Sequence, residues 1–105
     1  MKIEPGSSNV YADLRLSDAQ DMLIKAKLAT EINKIIRVCA LTQVEAAKIL
    51  GMTQPKLSGM LRGQFRGISE LKMIECLNRL GRDVDIVVKA TSKTRREGCI
   101  SVVFA

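Results

Sequence analysis

Residues 42–63 read TQVEAAKILGMTQPKLSGMLRG, and this stretch decides the fold. Thr42 and Glu45 form a capping box ahead of an apolar run, because each side chain can satisfy a free backbone N–H group at the start of a helix. Gly51 closes that short helix, since glycine tolerates the positive φ of a residue just past a helix end. The first half of the stretch therefore predicts a short helix with a signal at each end.

A second short helix follows directly. Thr53 is its N-cap, Pro55 fits in its first turn because the ring costs no intrahelical hydrogen bond there, and Gly63 ends it. Ala47 is small enough for the two helix backbones to approach each other closely. The apolar contacts between the helices are expected from Ala46, Leu50, Met52, Leu57 and Met60. The stretch thus predicts two short helices that meet at a steep angle across a tight turn.

The second of these helices presents a polar face without acidic residues. The chain has 17 basic and 11 acidic residues, a net charge of +6, yet residues 46–69 contain four basic residues and no Asp or Glu. Such a focused charge predicts a polyanionic partner, because Lys and Arg displace the counterions condensed on nucleic acid. The outward residues, on a helix that can enter a major groove, are Thr53, Gln54, Pro55, Lys56, Ser58, Gly59 and Arg62.

Helices are also predicted on both sides of this pair. Residues 1–16 are rich in Gly, Ser, Pro and Asn and form an N-terminal arm, after which Ser17 and Gln20 make a capping box. A long helix then carries apolar residues at three- and four-residue steps, at Leu28, Ile32, Ile35 and Cys39. On the other side, Ser69 caps a helix that ends at Gly81 and is expected to point inward through Leu71, Ile74, Leu77 and Leu80.

The pattern changes after Gly81. Val84, Ile86 and Val88 alternate with mostly polar residues, as in a strand with one buried face. Residues 100–104 form a second β-like run, so a hairpin is one interpretation and a frayed terminus the other. The expected organisation is an arm over residues 1–16, a helical domain over 17–81, and an extension over 82–105 that mediates dimerisation.

The bulk composition fits one intracellular domain. A length of 105 residues with 47% hydrophobic residues is enough for one core. The three cysteines are widely spaced and contain no C-x-x-C pair, which argues against a disulfide framework and a zinc site; Cys39 and Cys76 are expected to act as small hydrophobic residues. No segment has the ~20 apolar residues of a membrane span. A cytoplasmic protein without cofactors is predicted.

The block at residues 42–63 resembles the XRE (Cro/C1-type) helix-turn-helix repressors, with Gln43, Ala47, Gly51 and Leu57 in register. Residues 9–89 as a whole are similar to the branch of small XRE proteins that includes HigA-type antitoxins. The resemblance implies a mainly α, lambda-repressor-like bundle of four or five helices with a C-terminal β-strand or hairpin. It also implies a repressor that binds an operator in double-stranded DNA as a homodimer.

The family also implies a role for each matching residue. Gln43 would bond a phosphate at a helix N-terminus, and Gln54 would read an adenine edge through its amide donor and acceptor. Pro55 could at most touch a thymine methyl group, and Lys56 and Ser58 remain candidate readers. Arg62 and Arg66 would contact the DNA backbone, and Thr53 is a further candidate for such a contact. Lys48 and Lys72 are interpreted as solvated, and the basic cluster Lys93, Arg95 and Arg96 as a solvated loop rather than a contact to DNA or a partner.

The same residues bear on the partners of the protein and on other functions. Two recognition helices about 34 Å apart would read two half-sites, and the edge of the strand at residues 84–88 could pair with its twin or with a toxin. An enzyme is disfavoured because there is no His and no nucleophile–base pair, and an RNA-binding module because the aromatic residues are scattered. Within the repressor class, an antitoxin and a stand-alone regulator both remain open.

Overall fold

A computed structural model describes residues 18–91 and 98–105 of the chain. Within these ranges it contains four helices: α1, Asp18–Val38; α2, Gln43–Leu50; α3, Gln54–Leu61; and α4, Glu70–Arg79. The predicted arm, the Ser17 cap and the basic cluster at residues 93–96 lie outside the described residues. None of the described helices is long and apolar enough to cross a membrane.

The starts of α2, α3 and α4 are set by local side-chain hydrogen bonds, as predicted. Thr42 Oγ1 accepts from the backbone N–H of Glu45 at 3.1 Å, and the Glu45 carboxylate accepts from the N–H of Thr42 at 2.8 Å. Thr53 caps α3 and Ser69 caps α4 in the same way, each through its hydroxyl oxygen. Gly51 follows α2 at φ +68°, the left-handed conformation predicted for it. These bonds satisfy N–H groups that a helix cannot satisfy itself.

One hydrophobic core joins the four helices. The long helix α1 packs against α3 and α4, and α2 packs against the same two helices. The largest fully buried side chains of the described core are those of Ile32, Ile35, Leu50, Leu57, Met60, Met73 and Cys76. Phe65 and Ile68, in the connection between α3 and α4, complete the core. The predicted mainly helical architecture is confirmed.

The inward face of α4 differs from the prediction. Met73, Cys76 and Leu77 are buried, whereas Leu71 is 71% exposed. Cys76 and Leu77 lie three and four residues after Met73, so the three residues share one face of the helix. Leu71 lies two residues before Met73 and therefore on the opposite face. The prediction was right for Leu77 and wrong for Leu71. Cys39 is also exposed, because α1 ends at Val38 and the chain turns away at Ala40, which has a φ of +56°.

The predicted C-terminal strand and hairpin are not supported. In the described part of the C-terminal extension, residues 82–91 and 98–105, no strand is formed. Val84 and Val102 pack partly against the core, but Ile86 is 76% exposed and Val88 92% exposed. A strand needs a neighbouring strand to accept and donate its backbone hydrogen bonds, and a period-two pattern predicts only the alternation of faces.

Candidate nucleic-acid interface

The turn between α2 and α3 fixes the direction of α3. The N–H of Met52 donates to Ala47 O at 3.1 Å and that of Gly51 to Lys48 O at 3.3 Å, so the last carbonyls of α2 are satisfied within the turn. The Arg79 guanidinium of α4 also donates to Ile49 O at 3.2 Å. The turn is therefore held both by its own backbone and by α4.

One row of side chains on α3 faces away from the core. Leu57 and Met60 are buried, and the exposed Gln54 and Arg62 lie four residues on either side of the partly exposed Ser58. Residues four apart follow one another along the same helix face. We call Gln54, Ser58 and Arg62 the outer row. Three of the residues predicted to touch DNA thus lie on one face of one rigid element.

Arg62 gives the outer row its positive charge, and its guanidinium is hydrogen-bonded to the hydroxyl group of Ser58. Arg62 Nη1 donates to Ser58 Oγ at 2.5 Å, which lays the guanidinium back along α3. In the described part of the chain no carboxylate forms an ion pair with Arg62. The first turn of α3 holds no acidic residue either. The guanidinium is therefore available to an anion that approaches this face.

Pro55, Thr53 and Lys56 lie at the start of α3 in three different settings. Pro55 is exposed in the first turn, beside Gln54. The hydroxyl oxygen of Thr53 is engaged, because it accepts from the backbone N–H of Lys56 at 3.3 Å. Lys56 itself is two residues beyond Gln54, about 200° around the helix, and lines a cleft with Lys48 and Lys72. The structure thus does not bring Lys56 into the outer row.

Gln43 is the first residue of α2 and is exposed. The N-terminal end of a helix carries partial positive charge and unpaired N–H groups, so the position suits a side chain expected to hold a phosphate. The neighbouring Thr42 and Glu45 act as caps, as the sequence predicted. The hydrogen bonds from the N–H and hydroxyl groups of Thr42 hold the pKa of the Glu45 carboxyl below its ordinary value.

Arg66 follows α3 and is tied to the start of α1. Its guanidinium donates to Asp18 Oδ1 at 2.6 Å, and this hydrogen bond lowers the pKa of Asp18 and raises that of Arg66. Its carbonyl accepts from the ammonium of Lys25 at 3.1 Å. The side chain and the backbone of Arg66 are therefore both bonded to α1.

Lys25 is a residue that sequence reasoning missed. It is 5% exposed and pairs with Asp21 at 3.4 Å in addition to its bond to Arg66 O. Its sequence signal was the spacing of four residues from Asp21, which favours an ion pair on a helix but is common on solvated faces. Lys25 anchors the segment that carries Arg66 against α1.

Residues 10–89 match a protein-family model described as a helix-turn-helix domain. The match covers more than half of the chain. The chain belongs to this helix-turn-helix family. A solved structure described as an XRE family transcriptional regulator is 36% identical to it, with a TM-score of 0.78, and the comparison covers 85% of this chain and 100% of that chain. No curated protein matches the chain. The predicted membership of the XRE family of helix-turn-helix regulators is thereby confirmed.

Proposed function

We propose that this XRE-family protein binds operator sites in double-stranded DNA as a homodimer and represses transcription. The single observation that carries the proposal is the outer row, Gln54, Ser58 and Arg62, exposed on a short helix whose direction is fixed by a tight turn. A helix of this size fits the major groove, and a recognition helix must be held rigidly to read base edges.

The outer row supplies two kinds of contact. The amide of Gln54 carries one donor and one acceptor, which match the N7 acceptor and the N6 donor of adenine, so Gln54 is the proposed base reader. Arg62 is the proposed backbone contact, with Gln43 on a second phosphate at the start of α2. Ser58 accepts a hydrogen bond from the Arg62 guanidinium and is proposed to orient it. Because Ser58 shares the face of Gln54, it is also a proposed base contact.

The proposal is tested by binding measurements on an operator selected from a random duplex pool. Wild-type protein should prefer this operator to a scrambled duplex and to single-stranded RNA. The double variant Gln54→Ala, Arg62→Ala should lose that preference, because it removes the base contact of Gln54, about 1–3 kcal/mol of discrimination, and the backbone contact that positions the helix. The control variant Lys27→Ala, Lys34→Ala removes two charges from exposed positions of α1 and should keep it. Full discrimination by the Gln54/Arg62 variant, or equal affinity for all three nucleic acids, refutes the proposal.

The homodimer rests on a second observation. Ile86, Val87 and Val88 are 76%, 78% and 92% exposed, an unusual amount of aliphatic surface for three successive residues. A second copy would remove this surface from water and provide the second recognition helix that an operator with two half-sites needs. Sedimentation at micromolar concentration should give a dimer, and a monomer would refute this part of the proposal.

The proposed cellular role is that of the antitoxin in a type II toxin–antitoxin pair, which represses its own operon. The resemblance of residues 9–89 to HigA-type proteins supports it. The neighbouring reading frame tests this role: its product should be toxic when expressed alone and harmless when expressed with this protein. A neighbour without toxicity favours a stand-alone or prophage repressor instead.

A further inference from the structure

An open cleft of about 530 Å³ lies beside the turn, on the side of α3 that faces α2 and α4. We call it the lysine cleft, and it is lined by Ala47, Lys48, Gly51, Met52, Thr53, Lys56 and Lys72. Lys56 belongs to it, and so the cleft is about 200° around α3 from Gln54. The cleft therefore does not lie on the face that carries the outer row.

The lysine cleft concentrates positive charge from three helices. Lys48 comes from the last turn of α2, Lys56 from the first turn of α3 and Lys72 from the first turn of α4. None of the described residues that line the cleft is acidic. Lys72 pairs with Glu75 at 3.7 Å, but that carboxylate also accepts from Arg79 at 3.0 Å. Over residues 18–91 and 98–105, no carboxylate lies within ion-pair distance of Lys48 or Lys56.

Two of these lysines occupy the same position in their helices. Lys56 and Lys72 are each the third residue of a helix, and both line the same cleft. Their charges therefore reinforce one another instead of being spread over the surface.

The helix ends make this arrangement unfavourable for the protein alone. The first turn of a helix carries partial positive charge, so Lys56 and Lys72 stand where an acidic residue would be stabilising. α3 has no acidic residue in its first turn to compensate, and α4 has Glu70. The carboxyl end of α2, which carries the opposite partial charge, also borders the cleft at Lys48 and Gly51. The attraction for an anion would therefore come mainly from the three ammonium groups.

We propose that the lysine cleft is a binding site for the phosphate groups of a polyanion. Phosphate oxygens accept charge-assisted hydrogen bonds from ammonium groups, and the cleft is large enough for several linked phosphates. The phosphates could belong to a soluble polyphosphate anion, such as the chain of a nucleoside triphosphate, or to the backbone of DNA. This proposal does not depend on base reading by the outer row. It can therefore be refuted while the proposed function holds, and the reverse is also true.

The test uses the full chain and sodium tripolyphosphate as the probe, in titration calorimetry at constant ionic strength. Wild-type protein should bind the probe saturably with one site per chain. The variant Lys48→Gln, Lys56→Gln, Lys72→Gln should weaken binding about tenfold or more, because it removes every ammonium group of the cleft. The control Lys27→Gln, Lys34→Gln, Arg37→Gln removes the same charge from exposed positions of α1 and should change the affinity by less than about threefold.

A second arm identifies the source of the phosphates. The salt dependence of DNA binding should be equal in the cleft variant and the control variant if the ligand is a soluble anion. If the ligand is DNA, the slope of log K against log salt concentration should become shallower by about 0.9 for each lost contact, in the cleft variant alone. That result assigns the phosphates to DNA and still supports the site. The single variants Lys48→Gln and Lys56→Gln provide the same comparison if the triple variant does not fold. Absence of saturable probe binding with an unchanged salt slope, or equal losses in both triple variants, overturns the proposal.

Discussion

Replacing Gly51 by Ala tests how the turn between α2 and α3 is held. Gly51 has a φ of +68° and a ψ of 36°, a conformation that costs an L-amino acid about 1–2 kcal/mol. A Cβ atom added to it would lie 3.2 Å from Arg79 Nη1, closer than an ordinary contact. The guanidinium would have to move, and its hydrogen bond to Ile49 O at 3.2 Å would weaken or break.

The expected loss of stability combines the backbone strain and the weakened hydrogen bond with one stabilising effect of Ala. An exposed hydrogen bond of this kind contributes about 0.5–1.5 kcal/mol, and Ala stabilises the folded state by about 0.4–1 kcal/mol because it restricts the unfolded chain. Gly51→Ala should therefore lower the free energy of unfolding by about 2 kcal/mol. The strain of the backbone accounts for the larger part.

Two other glycines provide graded controls. Gly63 has a φ of +95°, but no described atom lies within 4 Å of the place where a Cβ atom would stand, so Gly63→Ala should show backbone strain alone, about 1 kcal/mol. Gly67 has neither a positive φ nor a neighbour within 4 Å among the described residues, and Gly67→Ala should be neutral or slightly stabilising. In an Arg79→Ala background, the cost of Gly51→Ala should fall to that of Gly63→Ala.

Urea unfolding monitored by far-ultraviolet circular dichroism measures all of these variants. Equal slopes of the free energy of unfolding with urea concentration would show that the variants change stability without changing the compactness of the unfolded state. The reasoning is refuted if Gly51→Ala loses no more stability than Gly67→Ala. If Gly51→Ala costs the same with and without Arg79, the guanidinium contact plays no part in the turn.

Three more perturbations test other parts of the structure. Thr42→Val removes the cap on the Glu45 N–H and should cost about 1 kcal/mol in urea unfolding; a change within error would contradict the capping box. Lys25→Met keeps the apolar stem but leaves Arg66 O without its ammonium partner, so stability should fall by about 1 kcal/mol and amide exchange at residues 66–68 should accelerate; unchanged exchange would exclude an anchoring role. The pKa values of Asp18 and Glu45 are lowered from ordinary values of 3.8 and 4.5, so their stabilisation is present above those values and is lost as the pH falls through the lower folded-state values. Unfolding measured between pH 2 and 6 should show this loss, and Thr42→Val should reduce it; the same acid dependence in both proteins would count against the hydrogen bonds as the cause.

Sequence reasoning succeeded where the determining interaction is local. The caps at Thr42, Thr53 and Ser69 each involve a residue only three positions away, so the spacing alone contains the information. Gly51 was predictable for a similar reason, since a left-handed residue after a short helix favours glycine. These local signals were enough to delimit α2, α3 and α4. They did not define the outward face of α3, because that prediction included Gly59, which is buried.

Reasoning from spacing failed where the decisive neighbour is distant in the chain. α4 contains enough apolar residues for two overlapping faces, and only its packing against α1 and α2 selects Met73 over Leu71. Lys25 meets the carbonyl of Arg66 across 41 positions, and no local pattern encodes that contact. The sequence placed Lys56 among the outward residues because it is polar. In the structure it lines a cleft together with Lys72 instead.

The C-terminal extension connects the unsupported strand with the proposed dimer. The alternation of Val84, Ile86 and Val88 specifies one apolar face, but of these three residues only Val84 lies against the described core. Apolar side chains that one chain leaves in water are covered when a second chain packs on them. In the proposed dimer, the second copy would cover Ile86 and Val88. The sedimentation experiment therefore also tests this explanation of the apolar alternation: if the protein is a monomer, the alternation after Gly81 has lost its proposed reason.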